Sequence, residues 1–179
     1  MAKWNLDPPH TSVEFSVRHL GVAWVKGHFM DIKGSAEFDP AHPEKAFGEV
    51  EIEAKSIWTN NEMRDNHLRS KDFFNVEQYP LVTFKSTGVE KISDREFRAT
   101  GDLTMRGITR PVTLAVEFFG IREVPSGDGK TRETHAGFSA KTTVNRHDFG
   151  ISWDAPIGGG ITTVGGEVDV IINAEAIRE

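Results

Sequence analysis

The chain has 179 residues, of which 37% are hydrophobic and 27% are charged, and this balance is typical of one soluble globular domain. Its formal net charge of −6 disfavours nucleic acid and anionic membrane surfaces as partners, because both are negatively charged. The absence of cysteine excludes disulfides and thiolate chemistry.

The N-terminal ten residues lack the apolar core of a signal peptide. No segment of the chain approaches the ~20 consecutive apolar residues of a membrane-spanning helix. We therefore expect a cytoplasmic protein with no transmembrane segment.

Alternation of apolar and polar residues recurs along the whole chain, and this period of two is typical of half-buried β-strands. It occurs in eight stretches, residues 13–18, 27–38, 50–55, 82–86, 97–105, 112–118, 138–144 and 168–172. The phase shifts near Met30–Asp31, which predicts a bulge there. Turn residues, but no linker, separate the stretches. The pattern predicts an all-β fold, a small eight-stranded antiparallel barrel that forms one domain over residues 1–179.

Two irregular segments interrupt the strand pattern. Thr59 to Glu62 has the sequence of a capping box and predicts a short helix over about residues 60–68. The adjacent rings of Phe73 and Phe74 favour packing of at least one of them over the barrel, so residues 59–78 are interpreted as a lid. In the second segment, residues 145–153, Asn145 ends a strand, and two aromatic residues again lie near an end of the barrel.

The inward positions alternate between very small and very large side chains, so the barrel has two possible interiors. Small residues could open an apolar ligand cavity, or small and large residues could interlock and fill the core. On the first interpretation the predicted wall consists of Phe15, Val17, Phe29, Phe84, Ala99, Gly101, Leu103 and Phe138. A large side chain at Ala99 or Gly101 is then expected to block the cavity.

A possible polar mouth is the second candidate site. His19 continues the inward register of its strand, whereas Arg64, His67 and Arg146 lie in the two irregular segments. These side chains could donate hydrogen bonds to the oxygen atoms of a ligand head group. Alternatively, Arg146 and Asp148 pair with Arg69 or Asp72 and hold the lid in place.

Metal and catalytic sites receive little support from the sequence. The seven histidines never occur at the short helical spacing of zinc enzymes, and no cysteine is available as a ligand. No Gly-x-Ser-x-Gly nucleophile elbow is present. We therefore predict no catalytic residue, no metal site and no cofactor.

Seven separate blocks of sequence keep a characteristic order and spacing: residues 4–11, 15–21, 26–29, 64–74, 79–87, 101–112 and 145–150. Together they resemble the YceI-like family of polyisoprenoid-binding proteins. The resemblance implies an extended lipocalin-like barrel of eight antiparallel strands. It also implies an elongated apolar pocket for an isoprenoid chain, such as a quinone or prenyl-phosphate precursor, and frequently a homodimer.

These observations predict a non-enzymatic protein that stores, transports or sequesters a long-chain polyisoprenoid lipid. Its expected partners are the lipid and a second copy of the chain. Two alternatives remain open: a small-molecule enzyme that uses the same cavity, and an interaction module with a filled core.

Overall fold

The computed structural model describes residues 1–179, which form eleven β-strands, one α-helix and several 3₁₀ turns. The strands are β1 (Ala2–Leu6), β2 (Ser12–His19), β3 (Ala23–Phe29), β4 (Ile32–Phe38), β5 (Phe47–Glu53), β6 (Ile57–Trp58), β7 (Leu81–Lys91), β8 (Glu96–Met105), β9 (Ile108–Pro125), β10 (Arg132–Asn145) and β11 (Val164–Arg178). The helix, α1 (Glu62–Arg69), lies between β6 and β7. Neither this helix nor any turn has the length and apolar character needed to span a lipid bilayer.

The sheet closes on itself as an antiparallel barrel of eight strands, in the order β1, β4, β5, β7, β8, β9, β10 and β11. The closing strand is β1, which pairs with β4 on one side and with β11 on the other. Beyond β1, the same edge of β11 pairs with β2, which carries β3 and β6. The predicted all-β barrel is confirmed, and each of the eight alternating stretches lies largely within a strand.

The predicted irregularity near Met30–Asp31 is a complete break between β3 and β4. Both backbone amides at the break donate to the hydroxyl of Ser56, at 3.1 Å each, so the polar backbone groups stay satisfied where the ladder stops. The break lets β3 pair with β2 while β4 pairs with β1. The strands β3 and β4 therefore act as two halves of one bent strand, each paired with a different neighbour.

The lid begins with α1, close to the predicted range, but the predicted capping box is wrong. Asn61 caps the helix, since its side-chain oxygen accepts from the amide of Arg64 at 2.9 Å. The hydroxyl of Thr59 instead donates to buried Asp65 at 2.5 Å. Arginine side chains fasten the segment, because Arg69 donates to the carbonyls of Lys55 and Ile57 at 2.8 Å each.

The barrel has a separate packed cluster at each end. At the lid end, Phe73, Phe149 and Ile151 are buried among inward side chains of the strands. At the opposite end, the rings of Phe38, Phe97, Phe118 and Phe138 form an aromatic cluster, with centroids 5.3 to 6.4 Å apart. The interior therefore has packed side chains toward both ends, and its middle is where a hollow can lie.

Candidate functional site

An apolar cavity of about 340 Å³ occupies the middle of the barrel, between the lid and the aromatic cluster. Thirty of its 36 lining residues are hydrophobic. This volume lies near the lower end of the ~300–1,000 Å³ that is usual for ligand pockets. We call it the main cavity. Its presence argues against the alternative of an interaction module with a filled core.

Six of the eight predicted wall residues line the main cavity: Phe15, Val17, Phe29, Phe84, Leu103 and Phe138. The lid contributes Phe73 and Phe74, and the ring of Phe74 meets that of Phe29 edge-on with 5.7 Å between centroids. The packing of the lid aromatics over the barrel is thus as predicted.

Ala99 and Gly101 do not line the main cavity, which differs from the prediction. Gly101 faces the interior, but the ring of Phe84 covers it: a Cβ placed on Gly101 would lie 2.6 Å from Cε2 of Phe84. Ala99 lines a smaller neighbouring cavity instead. A large residue at either position would therefore not enter the main cavity directly.

Close approach of a phenylalanine ring also explains why a second inward position, residue 27, is glycine. A Cβ on Gly27 would lie 2.6 Å from the ring of Phe15 and 2.8 Å from the carbonyl oxygen of Trp58. These glycines make room for a ring from a neighbouring strand rather than for a ligand. The open space depends instead on inward alanines such as Ala36 and Ala140 and on the length of the barrel.

Replacement of Gly101 by alanine is expected to lower the free energy of unfolding by about 1–3 kcal/mol, because the added methyl group would lie 2.6 Å from Cε2 of Phe84 and 2.5 Å from the carbonyl oxygen of Lys85. Chemical denaturation followed by tryptophan fluorescence measures the change. Gly88→Ala is the matched control on the adjacent strand, since a Cβ there meets no atom within 4 Å. Equal stability of the two variants would contradict the proposed covering of Gly101 by Phe84.

Strand β11 supplies a part of the wall that was not among the predicted residues. Val168, Val170 and Ile172 line the main cavity in the regular alternation of that strand. The alternation of residues 168–172 was itself the signal, because every second side chain of a barrel strand faces the interior. Val112 and Leu114 of β9 line it in the same way.

Arg146 is buried, with 4% of its surface exposed, and it borders the lid end of the main cavity. Its guanidinium donates to four backbone carbonyls, those of Gly165, Ile151, Trp153 and Val164, at 2.8 to 3.1 Å. Arg146 makes no ion pair with Asp72, although the interpretation in which Arg146 holds the lid in place by charge pairing required one. Burial lowers the pKa of Arg146 from its usual value, and the more distant charge of Asp154 partly opposes this effect.

Arg64 and His67 also have partners within the lid segment. Arg64 donates to the hydroxyl and the carbonyl oxygen of Thr59, at 2.7 Å each. His67 pairs through Nε2 with the carboxylate of Asp72 at 2.7 Å. The ring of His67 also meets Trp153 edge-on, with 4.7 Å between centroids. Both side chains thus support the lid, a role that the mouth hypothesis did not include.

His19 is the last residue of β2 and is half-buried. It lies two residues beyond Val17, which lines the main cavity, but His19 itself does not line it. The structure therefore does not gather the four predicted mouth residues around the hollow, and only Arg146 borders it. Contact of these residues with a head group stays a prediction.

One cluster of potential metal ligands lies on the surface, outside the main cavity. The ligand atoms of Asp7, His10 and Glu175 lie within 4.8 Å of one another. His10 is exposed, and its Nδ1 pairs with the Asp7 carboxylate at 2.6 Å. This hydrogen bond, together with the charges of Asp7 and Glu175, raises the pKa of His10. The His10–Asp7 pair links the turn after β1 to itself.

Comparisons with known proteins agree with the fold and with the resemblance in sequence. A sequence model of the YceI-like domain matches residues 4–176. Protein YceI of Escherichia coli O157:H7 is 40% identical over 170 residues, which cover 95% of this chain and 83% of that protein. The crystal structure of the Campylobacter jejuni YCEI protein superposes with a TM-score of 0.74 at 32% identity, over 90% of each chain.

A more distant structure has the same fold. It is a polyisoprenoid binding domain from Saccharophagus degradans, implicated in plant cell wall breakdown. The TM-score is 0.70 over the full length of both chains, at 10% identity. The match over residues 4–176 and the identity to Protein YceI show that the chain belongs to the family of YceI-like domains.

Proposed function

We propose that the protein binds a long-chain polyisoprenoid lipid, such as a quinone or prenyl-phosphate precursor, in the main cavity. On this proposal it stores, carries or sequesters the lipid without changing it chemically. The observation that carries the proposal is the apolar hollow of about 340 Å³ that lies between the lid and the aromatic cluster.

The driving force is the transfer of hydrocarbon out of water. Each methylene group that leaves water contributes about 0.8 kcal/mol, so a chain of a few isoprene units gains several kcal/mol before its ordering costs are subtracted. Aliphatic and aromatic walls supply this gain without a specific polar contact. Lipid binding by the similar Saccharophagus degradans domain, as its name states it, supports the choice of ligand class.

The polar groups at the wall support binding rather than catalysis. Glu49 and Arg146 are the charged residues at the wall. The side chain of Glu49 is partly exposed and lies 3.6 Å from the ammonium of Lys85, and Arg146 donates to four backbone carbonyls. A general acid or base needs a side chain within hydrogen-bond reach of the substrate. The side chains of Glu49 and Arg146 already have other partners, so neither is poised for this role.

Native mass spectrometry of the protein purified from cells tests the proposal. We expect an adduct of lipid mass that is lost on denaturation, and extraction of the adduct identifies its head group and chain length. The delipidated protein should also take up a defined prenyl alcohol in a stoichiometric complex. Absence of both the adduct and the uptake would contradict the proposal.

The enzymatic alternative has a separate test. If the protein were an enzyme acting on the bound lipid, incubation with candidate lipids would give a new product. We expect the lipid to be recovered unchanged from the wild-type protein. Liquid chromatography with mass detection of the extracted lipid decides between these outcomes.

A cytoplasmic location and a homodimer stay predictions of this proposal. Light scattering coupled to size-exclusion chromatography measures the mass in solution, and we expect twice the 19.9 kDa of one chain. Fractionation of cells measures the location.

A further inference from the structure

A second, smaller hollow of about 180 Å³ lies beside the main cavity, and we call it the side cavity. Four residues border both hollows: Ala36, Gly48, Phe84 and Phe138. The side cavity lies on the side of the aromatic cluster, since Phe38 and Phe97 line it. Its walls are also largely apolar, with ten hydrophobic residues among thirteen.

The backbone pairing of β5 with β7 ends at the wall of the side cavity. Their backbone pairing extends from Glu53 opposite Leu81 to Glu49 opposite Lys85. At the next position, the amide of Gly48 donates to the hydroxyl of Ser86 at 2.8 Å. The register of β7 against β8 also shifts between Ser86 and Gly88. A ladder that continued here would have narrowed the gap between the strands.

Phe84 and Phe138 are the two large side chains between the hollows, and they differ in how firmly they are held. Phe138 belongs to the aromatic cluster, with its ring centroid 5.3 Å from that of Phe118 and 5.5 Å from that of Phe38. The ring pairs of that cluster do not include Phe84, which is half-buried and lies over Gly101. Phe84 is therefore held by fewer contacts with other rings than Phe138.

The volumes of the two hollows suggest why the side cavity matters for ligand binding. The main cavity alone is near the lower end of the usual ~300–1,000 Å³ for ligand pockets, and a long isoprenoid chain exceeds an ordinary ligand in length. We propose that the side cavity is a second subsite, which binds the terminal isoprene units after the Phe84 ring turns away from Gly101. This inference rests on the proposed function and assigns chain-length selection to Phe84 and to the walls of the side cavity.

A comparison of two prenyl alcohols, farnesol and the longer hexaprenol, tests the proposal by competition against a fluorescent fatty-chain probe. The wild-type protein should bind hexaprenol at least about tenfold more tightly, because more apolar surface leaves water. In Ala99→Phe the new ring occupies the side cavity, so the ratio of the two affinities should fall to about one. Arg98→Phe is the matched control, since this neighbouring side chain is exposed and pairs with Glu90 on the surface.

Two further variants keep the test decisive. Val89→Phe fills the side cavity from β7 rather than β8, and it replaces Ala99→Phe if that variant fails to fold, as judged by circular dichroism. Phe84→Ala joins the two hollows, so it should keep or increase the preference for hexaprenol.

The outcomes separate this inference from the proposed function. If the correctly folded side-cavity variants still prefer hexaprenol as the wild type does, the side cavity is not a subsite. The same conclusion follows if the wild type binds hexaprenol no more tightly than farnesol. If the wild-type protein binds neither alcohol, the proposed function itself fails.

Discussion

Replacement of Ala140 by phenylalanine is expected to reduce the affinity for a polyisoprenoid about a thousandfold while the barrel stays folded. Ala140 is buried in the middle of β10 and lines the main cavity between Val116 and Ile172 of the adjacent strands. A phenyl ring there takes the space of about five methylene groups of the ligand. At about 0.8 kcal/mol for each group, the loss is about 4 kcal/mol.

Lys141→Phe provides the matched control for this experiment. Lys141 is the next residue on β10, and it is exposed, so its side chain faces away from the cavity. Titration of each variant with a prenyl alcohol measures the affinity, and circular dichroism measures the fold. Comparable binding by folded Ala140→Phe and by Lys141→Phe would exclude the main cavity as the lipid site.

Replacement of Arg146 by methionine is expected to lower the free energy of unfolding by about 4 kcal/mol. The side chain is similar in length and apolar, but the carbonyls of Gly165, Ile151 and Trp153 lose the guanidinium donor, and the carbonyl of Val164 keeps only the hydroxyl of Thr162. Each buried carbonyl without a partner costs about 1–3 kcal/mol, and water entering the loop offsets part of this cost. These carbonyls belong to residues 151–165, so the segment that leads into β11 should loosen first.

Arg110→Met is the control, since Arg110 is exposed and its guanidinium contacts only the carbonyl of Thr109 at 3.3 Å. Arg146→Lys should recover less than half of the lost stability, because one ammonium cannot reproduce the guanidinium fork. Urea denaturation measures all three variants. A loss below about 1 kcal/mol for Arg146→Met would contradict the anchoring role that we assign to Arg146.

The strands could be predicted because alternation is a local property of the sequence. Residues 168–172 show it clearly, and β11 contains them. The short strand β1 is different, because its five residues precede a pair of prolines and its pairing partners lie in β4 and β11. Nothing within the segment indicates those distant partners.

The hollow could be predicted only in part. Alternation correctly indicates that Gly101 faces inward. Whether the space beside it is open or filled depends on a side chain of the neighbouring strand. Phe84 is paired with Leu103 and lies diagonal to Gly101, which is opposite Ser86. The Phe84 ring fills that space because of its rotamer, which the sequence does not specify. Register must be known before an inward glycine can be interpreted as an opening.

Arg146 illustrates a similar limit for charged residues. Its position in the second irregular segment suggested a contact with a ligand head group or an ion pair with Asp72. The actual partners are carbonyl groups of a segment that folds back from Ile151 to Gly165. A backbone carbonyl has no sequence signature, since every residue has one. Such a contact becomes visible only when the path of the loop is known.

The pairing of β1 with β11 has a consequence for folding. It joins Trp4 to Arg178, which are almost the whole chain apart in sequence, and no other contact completes the ring of strands. Contacts of such long sequence separation form slowly, because the entropy of the intervening chain must be lost first. Until they form, β1 and residues 176–178 of β11 present unpaired backbone groups, and the hollow is an open apolar trough. The assembling molecule is then most vulnerable to aggregation, and a hydrocarbon chain has its easiest access.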